Sequence, residues 1–241
     1  MKTAVVILHY RNNEHFFQCF NSIRIPNCDY YVVENDSSDN LKDMMIPFVG
    51  IGWVKKYALF SENIANSAIR DFFLDGHLKF EDYDYVVTTD SDLLVTPGWF
   101  DEIHTILENH PEVMQIGISL DMANLPIKSF PMSVRWVPPI IKEHEDYYET
   151  AIGNWLATFR SEDCYQYIEH LRQTGASYRD SHLHEFIYSI GRKSGRTKIH
   201  KAAHLTWNYY QELDHPYTQE RLSAVTDIWA ENKRCSYEVF E

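Results

Sequence analysis

The stretch Tyr85-Val86-Val87-Thr88-Thr89-Asp90-Ser91-Asp92-Leu93-Leu94-Val95 decides the fold prediction for this chain. Its first residues are mostly apolar and β-branched, which predicts a buried strand that ends at two carboxylates. Two like charges are costly at the end of a buried strand unless a cation neutralises them. Carboxylate oxygens suit Mg²⁺ and Mn²⁺. The Asp90-Ser91-Asp92 triplet therefore predicts a site for a divalent metal that carries a polyphosphate.

Strands and helices alternate through the first hundred residues. Residues 3–8 and 30–33 are apolar runs that predict strands, and residues 53–59 predict a third. Apolar residues at helical spacing predict one helix that Asn12-Asn13 can cap and another over residues 66–74. This order predicts an α/β fold, with a mostly parallel central sheet and helices on both faces.

Polar residues follow the predicted strands where each strand ends. Ligands of parallel sheets bind at the carboxyl ends of the strands. We therefore expect one rim of the sheet to gather His9, Tyr10, Glu34, Asn35, Asp36, Asp90 and Asp92.

The second half of the chain predicts further elements but no linker. We expect helices over 99–108, 183–194 and 219–232, a short strand pair or meander within 113–140, a loop at 142–148, a strand over 151–160 that enters a helix at Ser161, and a strand over 196–200. One domain over 1–241 follows, with a nucleotide-binding half at 1–98 and an acceptor-binding half at 99–241.

Composition limits the class of protein. The 241 residues carry a formal net charge of −13, which argues against a surface that tracks nucleic acid or anionic lipid. No apolar stretch approaches the ~18 residues of a membrane span, and the N-terminus lacks the pattern of a signal peptide. Four cysteines lie scattered without CxxC spacing, as in a cytoplasmic protein with free thiols. We expect a cytoplasmic location.

Five segments resemble, in order, the motifs of family-2-like nucleotide-sugar glycosyltransferases of the GT-A fold with a DxD motif. They are VILHYRN at 6–12, VVENDSSD at 32–39, ENIANSAIRD at 62–71, TDSD at 89–92 with PGW at 97–99, and HLTWN at 204–208. The chain departs from the family pattern at four of these positions: Glu34 replaces Asp, Asp36 and Ala65 replace Gly, and Asn208 replaces Asp. The resemblance implies a hexosyltransferase of polysaccharide biosynthesis.

The resemblance implies a role for each motif. Mn²⁺ (or Mg²⁺) would be held by Asp92, with Asp90 and His204, and Asp90 would face either the ribose or the metal through water. The nucleotide would contact His9, Tyr10, Arg11, Glu34, Asp36, Arg70 and Asp90. Asn154 and Trp155 would contact the acceptor or the donor sugar, although core packing is an equal alternative for Trp155.

The catalytic base of an inverting enzyme is expected between residues 178 and 185. Asp180 is the first choice and Glu185 the second, and a histidine at 182 or 184 would also suit a base. A helix cap is an equally good role for Asp180. The donor would be a nucleotide sugar, with a UDP-sugar favoured, and the acceptor a glycan or a lipid-linked molecule. Peripheral membrane association and the oligomeric state stay open.

Two other functions compete with this one. A nucleotidyltransferase shares the parallel sheet, but residues 9–13 hold no glycine for its usual phosphate loop. A non-catalytic sugar- or nucleotide-binding module would keep the fold without a base, and the irregular 178–185 segment is compatible with it.

Overall fold

The computed structural model describes residues 1–36, 40–122, 138–153, 155–207, 214, 216, 219 and 234–241. Eleven strands of this part form one sheet. The strands are β1 Thr3–His9, β2 Cys28–Asn35, β3 Lys56–Phe60, β4 Tyr85–Asp90, β5 Leu93–Val95, β6 Val113–Leu120, β7 Lys142–Glu143, β8 Tyr147–Glu149, β9 Leu156–Arg160, β10 Lys193–His204 and β11 Tyr237–Phe240. The α-helices are α1 Asn13–Ser22, α2 Leu41–Gly50, α3 Ser67–Leu74, α4 Trp99–Asn109, α5 Ser161–Thr174 and α6 Asp180–Ser189.

The α/β architecture is confirmed. The order across the sheet is β11-β3-β2-β1-β4-β9-β6-β10-β8-β7, and β5 also pairs with β10. Strands β3, β2, β1 and β4 are mutually parallel, as predicted. Beyond β4 the sheet is mixed, because β9 lies antiparallel between β4 and β6. An apolar run predicts that a strand is buried but not its direction, so this inversion is visible only in the structure.

Helices cover both faces of the sheet and create two apolar cores. Val5 and Ile7 of β1 join the core that contains α1 and α4, while Ala4 and Val6 join the core that contains α3 and α5. Every residue of β1 is buried as a result. The continuous apolar pattern of this strand follows from burial on both faces.

Helix α2 and strand β6 differ from the sequence-based expectations, and the helix expected over 183–194 ends earlier, because α6 spans Asp180–Ser189 and β10 begins at Lys193. Helix α2 was not predicted, since its Pro47 lies inside the helix and its apolar residues show no clear face. Residues 113–120 form one buried strand, β6, which pairs with β9 and β10 rather than with a hairpin partner of its own. Residues 123–137, and the expected helix at 219–232 apart from Gln219, lie outside the described residues.

The segment expected as a loop at 142–148 is a β-hairpin. Strands β7 and β8 pair with each other, and β8 pairs with β10. Ion pairs fix the turn: His144 Nε2 lies 2.8 Å from Glu149 Oε2, and Lys198 Nζ lies 2.7 Å from Glu143 Oε1. The expectation of a loop was wrong, because short charged strands at a sheet edge carry little periodicity. No described helix has the length and apolarity needed to span a membrane.

Asp29 ties the amino ends of β1, β2 and β3 together. Its Oδ2 accepts from Tyr83 Oη at 2.6 Å and from Lys55 Nζ at 2.9 Å, and Lys2 Nζ lies 3.0 Å away. Burial alone would raise the pKa of this carboxyl, but these partners outweigh it and lower the pKa to about 2.

We expect Asp29→Asn to lower the free energy of unfolding at pH 7 by about 2 kcal/mol, since charged hydrogen bonds are lost. The folded-state pKa lies below the unfolded one, so this contribution is present above about pH 4 and disappears as the pH falls toward 2. Urea unfolding of both proteins between pH 7 and pH 2 measures it. A difference that stays constant over that range would contradict the assignment.

Candidate functional site

The carboxyl ends of β1, β2 and β4 meet at one rim of the sheet. His9 is the register partner of Glu34 in β2, and Leu8 is the register partner of Asp90 in β4. The ends of these strands are therefore level, and residues far apart in sequence become neighbours there. This is the rim where ligands of parallel sheets bind.

Asp92 is held by the end of β10. Its backbone oxygen accepts from Leu205 N at 2.7 Å, its Oδ2 accepts from Thr206 Oγ1, and His204 Nδ1 lies 3.3 Å from the same Oδ2. The pairing of β5 with β10, where His204 lies opposite Leu93, brings these residues together. One oxygen of the carboxylate is therefore engaged by the protein.

The other oxygen, Asp92 Oδ1, is buried and has no hydrogen-bond partner among the described residues. An unpartnered buried carboxylate oxygen is costly unless a cation or a donor meets it. The chemistry of this oxygen suits a hard divalent cation.

Trp207 packs against the ring of His204. The two rings stack with centroids 5.0 Å apart and an interplanar angle of 7°, and Trp207 is fully buried. Trp207 is thus a core residue. Asn208, Tyr209 and Tyr210 lie outside the described residues.

His9 and Glu34 form a buried floor under the rim. Both side chains are 0% exposed. His9 Nδ1 lies 2.9 Å from Ser91 Oγ, and Glu34 Oε2 accepts from Tyr57 Oη. These bonds connect the strand ends, and the expected contacts of His9 and Glu34 with a nucleotide stay predictions.

Tyr10 and Arg11 follow β1 in a strained turn. The Arg11 guanidinium lies over the Tyr10 ring at 4.9 Å, and both side chains are partly exposed. Arg11 and Asn12 have positive φ angles of 54° and 66°. The Asn12 side chain accepts from His15 N at 3.2 Å and so caps α1, as predicted. Successive left-handed residues are rare outside functional turns.

Two residues that stand where the resembled family has glycine adopt the left-handed backbone conformation that favours glycine. Asp36 and Ala65 have φ angles of 54° and 52°. Asn35 connects the two turns, because its Nδ2 donates to Ala65 O at 2.8 Å and its Oδ1 accepts from Ile64 N at 3.2 Å. Asp36 is exposed at the rim, and residues 37–39 lie outside the described part.

We expect Ala65→Gly to stabilise the protein by about 0.5 kcal/mol, because relief of left-handed strain exceeds the entropy that glycine adds to the unfolded chain. Ala68→Gly, in the first turn of α3, is the matched control and should destabilise by about 1 kcal/mol or more, because a fully buried methyl group is lost and the unfolded chain gains entropy. Thermal unfolding of both variants tests this. If Ala65→Gly unfolds at a lower temperature than the parent chain, the strain argument fails.

Arg70 lies on α3 with a side chain that is 3% exposed. Its Nε and Nη2 lie 2.8 and 2.7 Å from Asp71 Oδ1. The guanidinium also lines a cavity beside the end of α5. Its described contacts therefore lie on the α3–α5 side of the sheet, and its expected contact with the nucleotide stays a prediction.

The candidate bases lie in the first turns of α6. Tyr178, two residues before Asp180, places its hydroxyl 3.5 Å from Thr88 Oγ1 in β4, which ends at Asp90. Asp180 is the first residue of α6, since the cap position falls on Arg179, and both Asp180 and Glu185 are exposed. The segment thus enters α6 from beside β4.

The two histidines of this segment have structural partners. His182 Nδ1 lies 3.1 Å from Ser177 O, and His184 Nδ1 lies 3.4 Å from Ser194 Oγ. Burial lowers the pKa of His184. Each contact engages only one ring nitrogen, so both histidines stay alternatives to the carboxylates as the base.

Trp155 joins the rim to the core. Its backbone oxygen accepts from Asp90 N at 2.9 Å, and its Nε1 donates to Ile118 O at 3.1 Å. A Cβ atom on Gly153 would lie 2.0 Å from the Trp155 ring, so glycine is required beside it. The hydrogen bond to Ile118 fixes the partly exposed indole, and the ring also packs against the apolar core. Asn154 lies outside the described residues.

Helix α1 brings two further side chains toward Asp92 that sequence reasoning missed. Burial lowers the pKa of His15 while the charge of Asp92 opposes that shift. Burial raises the pKa of the Cys19 thiol to about 12, and its Sγ lies 3.5 Å from Asp90 O. Cys19 follows Phe16 by three positions and His15 by four, and this helical spacing is the signal that places both side chains on the buried side of α1.

The described residues contain no group of three or more His, Cys, Asp or Glu side chains arranged to hold a metal. The structure joins Asp92 to His204, whereas Asp90 stays a predicted third ligand. A bound metal would draw further ligands from its phosphate-bearing partner or from solvent, as Mg²⁺ commonly does.

Solved structures share this fold at low sequence identity. A mannosyltransferase, PcManGT from Pyrobaculum calidifontis in complex with GDP-Man and Mn²⁺, aligns with a TM-score of 0.56 and 15% identity over 98% of this chain and 66% of that one. Residues 1–349 of S. aureus TarS align with a TM-score of 0.55 and 14% identity over 93% of this chain and 65% of that one. GalNAc-T7 with UDP, GalNAc and Mn²⁺ aligns at 0.55 and 11% identity, over 84% and 43%. The chain has the GT-A fold of glycosyltransferases.

The curated relatives are longer viral proteins. Uncharacterized proteins L137 and L138 of Acanthamoeba polyphaga mimivirus are each 33% identical over 218 residues, 87% of this chain. This chain spans 30% of L137 and 25% of L138. Uncharacterized protein L142 of the same virus is 29% identical over 234 residues, and this chain spans 46% of L142. No family model matches the sequence.

Proposed function

We propose that this protein is a metal-dependent glycosyltransferase. It transfers a sugar from a nucleotide-sugar donor, with a UDP-sugar favoured, to a hydroxyl of a glycan or lipid-linked acceptor, and it inverts the anomeric centre. The observation that carries the proposal is the Asp92 carboxylate at the carboxyl end of the sheet, with one oxygen engaged by Thr206 and the other buried without a hydrogen-bond partner in the part of the chain that the structure describes. The GT-A fold supports the class of reaction.

The donor set suits a divalent metal. Asp92 and His204 would hold it, and the mixed oxygen and imidazole set favours Mn²⁺ over Mg²⁺. Two of the similar structures contain Mn²⁺ with a nucleotide or nucleotide sugar. When bound, the metal would act as a Lewis acid that stabilises the diphosphate leaving group.

The remaining rim residues of this chain position the nucleotide. Tyr10, Arg11 and Asp36 offer partly exposed or exposed groups at the ends of β1 and β2, where base and ribose would lie. Asp90 would meet the ribose. The buried pairs His9–Ser91 and Tyr57–Glu34 keep the strand ends in register beneath them.

Asp180 would accept the proton of the acceptor hydroxyl. A general base needs a carboxylate that can reach the hydroxyl, and Asp180 begins the helix that follows the Tyr178 contact with β4. Trp155, anchored beside Asp90, would face the sugar.

A donor screen tests the proposal without an acceptor. The full chain is incubated with Mn²⁺ and each of a set of UDP-, GDP- and TDP-sugars, and slow donor hydrolysis is measured. We expect hydrolysis of one donor class and a higher melting temperature with Mn²⁺ and the matching nucleoside diphosphate together. The absence of both effects for every nucleotide would refute the proposal, and release of pyrophosphate from a nucleoside triphosphate would indicate a nucleotidyltransferase instead.

Thr206 gives a sharper test of the Asp92 environment. Thr206→Val removes the hydroxyl donor at nearly constant shape, so Asp92 loses the bond that orients it. We expect the affinity for Mn²⁺, measured by electron paramagnetic resonance with the nucleoside diphosphate present, to fall by about 10- to 100-fold.

Thr206→Ser retains the hydroxyl and serves as the matched control. It should bind Mn²⁺ within about threefold of the parent chain, since the donor to Asp92 is kept. Equal losses in the two variants would mean that packing of the 3%-exposed Thr206 matters and its hydrogen bond does not.

A further inference from the structure

A cavity of about 360 Å³ lies between α3 and the carboxyl end of α5. Among the described residues, its lining includes three arginines, Arg70, Arg172 and Arg234, and one acidic residue, Asp75. We call it the arginine cavity. Such a lining is uncommon in a chain with a net charge of −13. Each guanidinium also lies against a carboxylate of Asp71 or Glu169, and its remaining N–H groups are the donors that an anion in the cavity would meet.

Two of the three guanidinium groups are fixed by their neighbours. Arg70 is 3% exposed and bonds to Asp71, as described above. Arg172 donates from Nη2 to Leu74 O at 3.3 Å and from Nε to Glu169 Oε1 at 3.0 Å. A ligand would meet these groups already oriented, which lowers the entropic cost of binding.

The third guanidinium is held only loosely. Arg234 is 68% exposed, and its Nε lies 3.9 Å from Asp71 Oδ1. Asp75 of the lining accepts a hydrogen bond from Tyr237 Oη at 2.5 Å, so one of its carboxylate oxygens is already engaged by that hydroxyl. Arg234 is therefore well placed to turn toward an anion in the cavity.

The arginine cavity adjoins the segment that leads to the candidate base. Gly175 and Ala176 line it, and Asp180 follows Gly175 by five positions, a span of at most about 18 Å. On the other side, Ser236 O, two residues after Arg234, accepts from Ser61 N directly after β3. Both flanks of the cavity thus extend toward the carboxyl rim of the sheet.

We propose that the arginine cavity binds the phosphate or carboxylate group of an anionic glycan, which is the acceptor of the transfer reaction. Guanidinium groups recognise both oxyanions through paired hydrogen bonds, and the volume is of the size that holds a small ligand such as one sugar unit with its anionic group. The assignment of this ligand as the acceptor rests on the proposed function, whereas binding of the anion does not.

Calorimetric titration of the full chain tests the proposal, with glucose 6-phosphate, glucuronate and glucose as probes at ionic strength matched with chloride. We expect saturable binding of one or both anions and none of glucose, and the anion that binds identifies the chemical source. The double variant Arg172→Gln/Arg234→Gln, both exposed sites, should bind at least tenfold more weakly with little change in melting temperature. Arg24→Gln/Lys201→Gln removes the same charge elsewhere and should bind normally.

Three results would overturn the anion site: no binding of either anion beyond the chloride effect, unchanged affinity in the Arg172/Arg234 variant, or an equal loss in the control. Donor hydrolysis, measured separately, distinguishes the two proposals. Hydrolysis without anion binding refutes the cavity alone. Anion binding without hydrolysis of any donor supports the anion site but refutes the acceptor assignment together with the proposed function.

Discussion

Asp92→Asn is expected to abolish donor hydrolysis while the protein stays folded. Lewis-acid stabilisation of a leaving group is worth several kcal/mol, so the rate should fall by at least about 10³-fold. The fold should survive, because an asparagine oxygen can still accept from Thr206 and the Asp92 backbone bond to Leu205 is unchanged. Hydrolysis rate and circular dichroism, measured on the same preparation, give both results.

Metal binding separates this prediction from a general loss of structure. In the parent chain Mn²⁺ and the nucleoside diphosphate should raise the melting temperature together, and in Asp92→Asn they should not. Asp101→Asn, an exposed site in the first turn of α4, is the matched control and should behave as the parent chain. If Asp92→Asn hydrolyses the donor at the parent rate, Asp92 does not hold the metal.

The parallel half of the fold was predictable because its signals are local. Apolar runs mark β1, β2 and β4, and the residues after them mark the rim. The two positions where the resembled family has glycine also indicate the backbone conformation, since Asp36 and Ala65 adopt positive φ angles there. The motif therefore encodes a backbone shape that other residues can adopt at a cost.

The contacts that surround Asp92 could not be predicted from the sequence, because they come from distant parts of the chain. The bond from Thr206 joins residues 114 positions apart and depends on the pairing of β5 with β10, which no local pattern specifies. Burial of Glu34 was also hidden, because a polar residue after a strand suggests exposure and only the structure brings Tyr57 to it. His204 could be proposed from its motif, but not the buried Trp207 stacked beneath it.

Asp180→Asn is expected to reduce sugar transfer by about 10²- to 10⁴-fold, the usual contribution of a general base. Donor binding and slow donor hydrolysis should persist, because Asp180 does not contact the metal in this proposal. Loss of a negative charge from the first turn of α6 should cost less than about 1 kcal/mol of stability. Transfer is measured on an array of glycan acceptors with the donor that the hydrolysis screen identifies.

Glu185→Gln is the decisive comparison, because helix geometry places the two carboxylates differently. Leu183, Phe186 and Ile187 define the buried face of α6. At 100° per residue, Asp180 lies about 65° from the centre of that face, whereas Glu185 lies about 155° from it and is directed away from the sheet. Asp180 therefore lies closer than Glu185 to the sheet side of α6, which is the reason for preferring it as the base. Loss of transfer in Glu185→Gln with activity kept in Asp180→Asn would reverse the assignment, and activity kept in both would show that α6 supplies no base.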